Sequence, residues 1–353
     1  MLRIAMISTP FIPVPPRDYG GTELIVHELV EGLLDREHEV TLFATGDSQT
    51  RATLEALYDE ALWPPEPFTE LDHVSWAMRR VAEGDYDVIH VHSPCALALG
   101  RLATGLPLVY TIHHAQEPVL SRYYSHFPGV DFVCISRDQC RRETGTEWCS
   151  VIHHGLDADR YQWSDRAEPY VCFVGRLARE KGPVTAIDVA ARAGVPIRMA
   201  GSIHPPDQAY VEAKVLRRLS APGVTWMGPI GPDRKIPLLR DARALLAPIE
   251  WNEPFGLILI EALLSGCPVV AFGRGSVPEL VEQGVTGFVA ASESDMVELI
   301  RPGGPVETLD RRRIREIAAR RFDRSRMVAE YERVYHAAAA RAHRPGLRPI
   351  TAA

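Results

Sequence analysis

The sequence lacks apolar runs of membrane-spanning length and is poor in cysteine. No run approaches the roughly 20 residues that a transmembrane helix needs. The opening residues 2–9 lack the length and cleavage site of a signal peptide, so they predict a buried first strand. The six cysteines include no C-x-x-C pair, which argues against a structural zinc site, a redox motif or a disulfide framework. We therefore expect a cytoplasmic protein without a transmembrane segment, in which most cysteines are buried as small hydrophobic residues.

Lysine is also scarce, and charge is divided unevenly along the chain. The three lysines are Lys181, Lys214 and Lys235. Residues 1–165 contain 12 Arg or Lys against 25 Asp or Glu, whereas residues 166–353 contain 27 against 21. An acidic first half disfavours binding to nucleic acid or to an anionic membrane. The more basic second half is where we expect a phosphate-bearing ligand.

Apolar runs alternate with helical patterns throughout the chain, which is typical of parallel sheets built from β-α-β units. In the first half the predicted strands are residues 3–8, 39–44, 88–92, 108–112, 132–135 and 151–152. In the second half they are residues 170–174, 197–200, 224–226, 244–247 and 269–271. Helices are predicted at residues 23–34 and 183–193.

The chain length fits two domains of roughly 150 residues each. A polar stretch at residues 157–169 separates the two series of strands, so we place the boundary near Asp165. The Arg- and Ala-rich residues 311–342 carry apolar side chains at helical spacing and predict a late helix pair that docks back onto the protein. These observations predict an N-terminal domain, a C-terminal domain, a returning helix and a disordered tail, at residues 1–165, 166–322, 323–342 and 343–353.

The strongest chemical signal is a pair of carboxylates, Glu253 and Glu261, separated by seven residues. Pro254 and Gly256 mark a loop that turns into a helix, and proline suits the first helical position. Glu261 lies about 9 Å from the start of this helix, so one carboxylate is placed to bind a sugar and the other a nucleoside ribose. Backbone N–H groups at the helix start are expected to bind a phosphate or a hydroxyl. These groups belong to Phe255, Gly256 and Leu257.

A second signal is the loop at residues 175–183, which follows an apolar strand and precedes a helix beginning near Pro183. Ligands of open α/β sheets bind beyond the carboxyl ends of the strands. Arg176 and Lys181 are therefore predicted to meet a helix N-terminus in that crevice. Two cations and a helix N-terminus suit a diphosphate leaving group, whose developing charge must be stabilised.

Two loops of the first half also follow predicted strands. Residues 9–21 contain four prolines, and Gly20 and Gly21 allow the backbone to approach a ligand closely. His113 follows the strand at residues 108–112, where a binding role and a structural role are both open. His92 is expected to line the crevice or to pack.

Neither of the patterns that could hold a metal is interpreted as a metal site. The Asp85-Tyr86-Asp87 segment matches the D-x-D pattern but precedes its strand, which places it at the wrong end of the sheet. The histidine pairs are at positions 90 and 92, 113 and 114, and 153 and 154. In the two pairs of adjacent histidines, neighbouring residues of a strand point to opposite faces, so each of these pairs offers one ligand per face. No bound metal or other cofactor is expected.

Together these motifs resemble glycosyltransferase family 4 over most of the chain. This resemblance implies the α/β fold known as GT-B, with two Rossmann-like domains whose parallel sheets face each other across a cleft and a C-terminal helix that returns to the N-terminal domain. It also implies an acceptor-side N-terminal domain and a donor-binding C-terminal domain. The chain departs from the family at His154, where the family often has asparagine.

The resemblance also implies which residues contact the diphosphate and the transferred sugar of the donor. Gly21 would sit beside the diphosphate, and Arg176 and Lys181 would bind it. His113 would contact the transferred sugar near its reacting carbon. Because these positions carry charge or lie beside the reacting carbon, Arg176, Lys181, His113 and Glu253 form the predicted catalytic set.

For the rest of the donor, the resemblance implies that Glu253 and the backbone of residues 255–257 hold the sugar. Glu261 would hold the ribose, while Gly228 and Ile230 would contact the base.

The implied reaction is transfer of a hexose-type sugar from a UDP- or GDP-linked donor to an acceptor hydroxyl, with retention of anomeric configuration and without a metal. The implied partners are the nucleotide sugar and a small-molecule or saccharide acceptor. A nucleotide-sugar epimerase or hydrolase of GT-B fold and a non-catalytic nucleotide-sugar-binding protein are the alternatives. The donor base, the acceptor and the oligomeric state stay open.

Overall fold

The computed structural model describes residues 1–146 and 149–342 and contains two compact units. The first unit comprises Met1–Gly155 together with the chain from Arg324 onward, and the second comprises Leu156–Asp323. The predicted tail at residues 343–353 lies outside the described residues.

The division between the units falls after Gly155, whereas the sequence placed it near Asp165. The backbone N–H of Leu156 donates to the carbonyl of Phe322 at 2.9 Å. The Arg315 guanidinium donates to a backbone carbonyl of the same segment, that of residue 158, at 2.5 Å. Hydrogen bonds therefore tie the segment after Gly155 to the second unit. The polar stretch at residues 157–169 is part of that unit and is not a linker between the two units.

A parallel sheet forms the centre of the first unit. Its strands are β1 (Arg3–Ile7), β2 (Glu39–Ala44), β3 (Thr53–Ala56), β4 (Val88–Val91), β5 (Leu108–Ile112), β6 (Asp131–Cys134) and β7 (Ser150–Val151). Its first helices are α1 (Gly21–Leu34), α2 (Pro67–Glu83), α3 (Cys95–Ala103), α4 (Pro118–Tyr124) and α5 (Arg137–Arg142). The strand order is β3-β2-β1-β4-β5-β6-β7, and strands β4, β5 and β6 are buried along their whole length. Such continuous burial is typical of parallel strands covered by helices on both faces.

The second unit repeats this plan. Its strands are β8 (Val171–Val174), β9 (Ile197–Ala200), β10 (Val224–Trp226), β11 (Leu245–Ala247), β12 (Val269–Phe272) and β13 (Gly287–Ala290). Its helices are α6 (Pro183–Ala193), α7 (Gln208–Tyr210), α8 (Leu216–Leu219), α9 (Pro232–Asp241), α10 (Leu257–Leu264), α11 (Val277–Leu280), α12 (Glu293–Ile300) and α13 (Arg311–Phe322). The order is β10-β9-β8-β11-β12-β13, so the chain reverses its direction of travel across the sheet between β8 and β11. Such a reversal opens a crevice at the carboxyl ends of the two strands.

The last described helix, α14 (Arg324–Ala342), belongs to the first unit and packs against α1, β4 and β5. Its apolar face is buried, including Met327, Tyr331 and Tyr335. This is the helix predicted at residues 323–342. Within the described part of the chain, no helix combines the length and apolar character needed to cross a bilayer.

One expectation about cysteine is wrong, because Cys140 and Cys149 form a disulfide. Cys140 lies on α5 and Cys149 just before β7, so the fold brings together two residues whose spacing gave no signal. The sulfur atoms of Cys134, Cys140 and Cys149 lie within 4.8 Å of one another. Cys134, Cys172 and Cys267 are buried free thiols, as expected for small core residues.

Candidate functional site

The crevice of the second unit brings a lysine and a glutamate together from distant parts of the sequence. Lys181 lies in the loop after β8, and Glu253 lies in the loop after β11. The Lys181 ammonium is 2.5 Å from Oε2 of Glu253, and the Trp251 indole N–H donates to the same oxygen at 2.9 Å. The ammonium also lies 5.0 Å from the centre of the Trp251 ring. Two predicted site residues therefore meet where the strand order reverses.

A glycine forces this loop close to the neighbouring strand. Gly182 has a φ of 72°, and a Cβ at this position would lie 2.1 Å from the carbonyl oxygen of Pro248. The same glycine is the N-cap of α6 and directly follows Lys181. Only a residue without a side chain fits here, so Gly182 sets the approach that brings Lys181 to Glu253.

The start of α10 lies beside this pair. Gly256 has a φ of 85° and precedes the first helical residue, Leu257. The helix therefore begins three residues after Pro254, so proline does not occupy its first turn as predicted. No described side chain caps this helix. Because the first N–H groups of a helix have no acceptor within it, the helix start offers donors for a phosphate or a hydroxyl.

A second loop holds the segment of residues 253–255 in place. The Ser276 N–H donates to the carbonyl of Glu253 at 2.9 Å, and the Ser276 hydroxyl donates to the carbonyl of Phe255 at 2.5 Å. A Cβ on Gly275 would lie 2.3 Å from the carbonyl oxygen of Glu253. Phe255 itself is buried. The backbone that leads into α10 is thus fixed by contacts that the sequence did not reveal.

Glu261 is buried on α10 and has two partners that the sequence analysis did not assign to the site. The Lys235 ammonium lies 2.6 Å from its Oε1, and the Tyr161 hydroxyl donates to the same oxygen at 3.1 Å. Burial costs an ionised carboxylate several kcal/mol of solvation, and these two partners offset that loss. The scarcity of lysine was the one available signal for Lys235. Tyr161 offered none, since it precedes Glu261 by 100 residues.

Arg176 also follows β8, but its guanidinium forms ion pairs with carboxylates other than Glu253. Its guanidinium forms an ion pair with Glu180 and a second one with Asp207, at 3.2 Å between Nε and Oδ2. The structure therefore places Arg176 and Lys181 on the same loop, each beside a carboxylate. In this state each cation is already neutralised by the protein.

Gly228 and Ile230 follow the edge strand β10. The Gly228 carbonyl accepts from the N–H of Gly201, which joins the loop after β10 to the loop after β9. Gly228 has a φ of 70° with open space around its Cα, and Ile230 is buried. The two residues thus line the same edge of the sheet as the loop after β9.

In the first unit, Gly21 is the first residue of α1. The preceding loop is tied to this helix, because the Thr9 hydroxyl donates to Glu23 at 2.8 Å. Glu23 is buried, and burial raises the pKa of its carboxyl group.

His113 lies in a column of imidazole rings that the sequence did not predict. Its Nε2 is 2.8 Å from Nδ1 of His92, and its ring stacks on His154 with centroids 5.5 Å apart. The ring of His90 lies 4.2 Å from that of His92. Burial lowers the pKa of His113 to about 3, and His114 adds to the effect. Burial, together with the neighbouring imidazoles, also holds the pKa of His92 and His154 well below the ordinary value.

The D-x-D carboxylates are engaged elsewhere in the first unit. Asp87 accepts from the backbone N–H of Arg3 at 2.8 Å, and both Asp85 and Asp87 pair with the Arg3 guanidinium. These carboxylates therefore anchor the beginning of β1.

Comparison with known proteins gives matches over both units. Residues 19–160 match the family model described as Glycosyltransferase Family 4, and residues 159–301 match the model described as Glycosyl transferases group 1. The phosphatidyl-myo-inositol mannosyltransferase of Mycobacterium tuberculosis is 26% identical over 378 residues, covering 96% of this chain and 97% of that protein.

Solved structures are similar over a comparable extent. AviGT4, a glycosyltransferase involved in avilamycin A biosynthesis, superimposes with a TM-score of 0.73 at 26% identity, covering 96% of this chain and 98% of that one. Anabaena HepE, solved in complex with UDP and glucose, gives a TM-score of 0.75 at 22% identity and covers 96% and 100% of the two chains.

Proposed function

Because the chain belongs to glycosyltransferase family 4 and has the GT-B fold of two Rossmann-like domains, we propose that it transfers a hexose-type sugar from a UDP- or GDP-linked donor to an acceptor hydroxyl. The observation that carries this proposal is the Lys181–Glu253 pair beside the start of α10. A cation, a carboxylate and helix N–H groups match the diphosphate and the hydroxyls of such a donor. HepE, which shares the fold, was solved with UDP and glucose.

The proposed roles follow the chemistry of each group. Lys181 and Arg176 exchange their carboxylate partners for the diphosphate and stabilise its charge as it departs. Glu253 is then released to accept hydrogen bonds from hydroxyls of the sugar, which the backbone at residues 255–257 also contacts.

The remaining groups bind the ends of the donor. Glu261 accepts from the ribose hydroxyls, and Gly228 and Ile230 contact the base. In the first unit, Gly21 and His113 bind the diphosphate and the transferred sugar, respectively.

The proposed reaction retains configuration and needs no metal. The bond between the anomeric carbon and the phosphate oxygen breaks, and a bond from that carbon to the acceptor oxygen forms on the same face. The acceptor's proton passes to the departing phosphate oxygen, so no enzyme base or covalent intermediate is required. Positive charge from Lys181 and Arg176 serves where other enzymes use a metal ion. The proposed acceptor is a small molecule or a saccharide.

A thermal-shift screen in EDTA tests the donor site. UDP-, GDP- and ADP-sugars are added to the wild type and to the Lys181→Ala and Glu261→Ala variants. Ligand at a hundred times its Kd stabilises by about 2.7 kcal/mol, or roughly 5–10 °C for a domain of this size. We expect a shift with one nucleotide class that both variants lose. Lys214→Ala is the matched control, because Lys214 is an exposed lysine outside the site.

Three outcomes contradict the proposal. A folded protein that shifts with no sugar nucleotide does not use this donor class. Donor cleavage that needs no acceptor indicates a hydrolase. Binding without turnover across a panel of saccharide acceptors indicates a binding protein.

A further inference from the structure

We propose that His92 is a positioning residue that fixes the protonation of His113: it holds His113 as the tautomer protonated on Nε2, so that Nδ1 of His113 accepts a hydrogen bond from a hydroxyl of the transferred sugar. The sugar as ligand rests on the proposed function. The tautomer itself rests only on the contacts within the first unit.

The argument starts at Met6. Its sulfur lies 3.1 Å from Nε2 of His92, and both residues are buried. A thioether sulfur has no hydrogen and acts only as an acceptor. His92 Nε2 must therefore carry the proton, because otherwise its lone pair would face the lone pairs of the sulfur in a buried site.

The proton on Nε2 decides the state of the other nitrogen of His92. Burial keeps the pKa of His92 well below its ordinary value, so the ring is neutral and has one donor and one acceptor. Nδ1 of His92 is then the acceptor, and Nε2–H of His113 donates to it across 2.8 Å. The chain of hydrogen bonds thus runs in one direction, from His113 through His92 to Met6.

The same reasoning applies to His113. Burial lowers its pKa to about 3, so its ring is also neutral and carries one proton, on Nε2. Nδ1 is left as an acceptor, and no residue in the described part of the chain donates to it. His113 is part-exposed, whereas His92 and His154 on either side are buried. His113 is therefore the member of the column that can bind an external hydroxyl.

Neighbouring rings keep the two imidazoles from rotating. His154 stacks on His113 at an interplanar angle of 20°. His90, beside His92, is held by the Tyr335 hydroxyl at 2.7 Å and the Thr111 hydroxyl at 2.8 Å. Because Nδ1 of His113 can only accept a hydrogen bond, it requires an O–H group from its ligand. A nucleotide sugar that lacks this hydroxyl therefore loses the hydrogen bond.

Long-range 1H–15N NMR of the full chain labelled in histidine reads the tautomer directly. At neutral pH we expect a pyridine-type Nδ1 and a pyrrole-type Nε2 for His113, assigned by their loss in His113→Gln. A pyrrole-type Nδ1 in the wild type would overturn the proposal, whatever the enzyme's activity. If the tautomer is as expected but no sugar is transferred, the proposed function fails and the tautomer stands.

Substitutions at His92 and Met6 test whether these two residues determine the tautomer of His113. His92→Phe and Met6→Leu are each expected to give a mixed tautomer at His113. In His92→Phe only the fraction of His113 that is protonated on Nε2 can accept the hydrogen bond from the sugar, so kcat/KM for the donor should fall about twofold for an even mixture, mainly through KM. His92→Asn keeps an acceptor near the place of Nδ1 and should restore most of this loss.

Met78→Leu, at another buried methionine of the first unit, is the matched control for Met6→Leu. Two results contradict a role for the Met6–His92 chain: an unchanged tautomer in both His92→Phe and Met6→Leu, or an equal effect of Met78→Leu.

Discussion

The two carboxylates of the second unit that are proposed to bind the donor are each paired with a lysine. Glu253 pairs with Lys181, and Glu261 pairs with Lys235. Burying an ionised carboxylate costs several kcal/mol of solvation, and attraction to a paired lysine offsets this cost. The ion pairs therefore let this unit hold two charged acceptors in its interior before any ligand binds.

The Lys235→Met variant tests this explanation. It leaves Glu261 buried with only Tyr161, so we expect the unfolding free energy to fall by about 3 kcal/mol and donor binding to weaken at least tenfold. Urea unfolding and calorimetric titration measure the two effects. Adding Glu261→Gln to Lys235→Met should restore stability but not binding. Lys214→Met is the control, and an unchanged stability in Lys235→Met would contradict the explanation.

The sequence predicted part of this site because of a general rule. Ligands of open α/β sheets bind beyond the carboxyl ends of the strands, so Lys181, which follows an apolar strand, was expected in the crevice. Glu253 was assigned to the same donor through its own motif and the resemblance, and the contact between the two residues was not predicted. Lys235, Tyr161 and His92 were not assigned such contacts, because their partners are fixed by helix packing and sheet register rather than by spacing along the chain.

At the scale of elements, apolar runs located the central strands well. The runs at residues 39–44, 108–112, 197–200 and 224–226 have the predicted bounds, and the helix at 183–193 agrees as well. Strand β3 was missed because it is a partly exposed edge strand without an apolar run. Strand β13 was missed because it begins with a glycine, a residue that is depleted in strands, and lies at the edge of the sheet. Helix α10 begins later than predicted, since Gly256 rather than Pro254 sets its start.

Helix α6 offers a matched test, because both of its caps are glycines with similar positive φ, 72° at Gly182 and 67° at Gly194. Alanine at either cap meets the same left-handed strain, about 1–2 kcal/mol. Only at Gly182 would the new Cβ lie 2.1 Å from a carbonyl oxygen, whereas Gly194 has open space.

We therefore expect Gly194→Ala to lower stability by about 1 kcal/mol and leave donor binding intact. Gly182→Ala should be clearly less stable and should lose donor binding, because Lys181 is displaced from Glu253. Chemical denaturation and titration with the nucleotide sugar distinguish them. Equal effects of the two variants would show that the close approach at Pro248 does not matter.

At the scale of the whole molecule, the two units differ in continuity. The second unit is one uninterrupted stretch, Leu156–Asp323, and contains the Lys181–Glu253 and Lys235–Glu261 pairs. The first unit is assembled from two separate stretches of chain. Their stabilities should therefore respond differently to truncation.

We expect the isolated stretch Leu156–Asp323 to fold and to bind the same nucleotide sugar as the full chain, because it holds a complete sheet and core. Residues 1–155 alone should not form a stable fold, since they lack the buried side chains of α14. Circular dichroism and calorimetric titration measure these outcomes. A folded Leu156–Asp323 fragment that fails to bind would show that donor affinity requires the first unit.

The position of α14 has a consequence for how the protein is made. Domains usually mature on the ribosome in the order in which they are translated. Here the first sheet is translated early, but β4 and β5 are not covered until α14 contributes Tyr331 and Tyr335. The second unit can therefore complete its fold before the first unit, although most of the first unit is translated earlier. The first unit therefore stays incomplete until residues 324–342 have been translated, and during this interval its uncovered apolar side chains are accessible to chaperones.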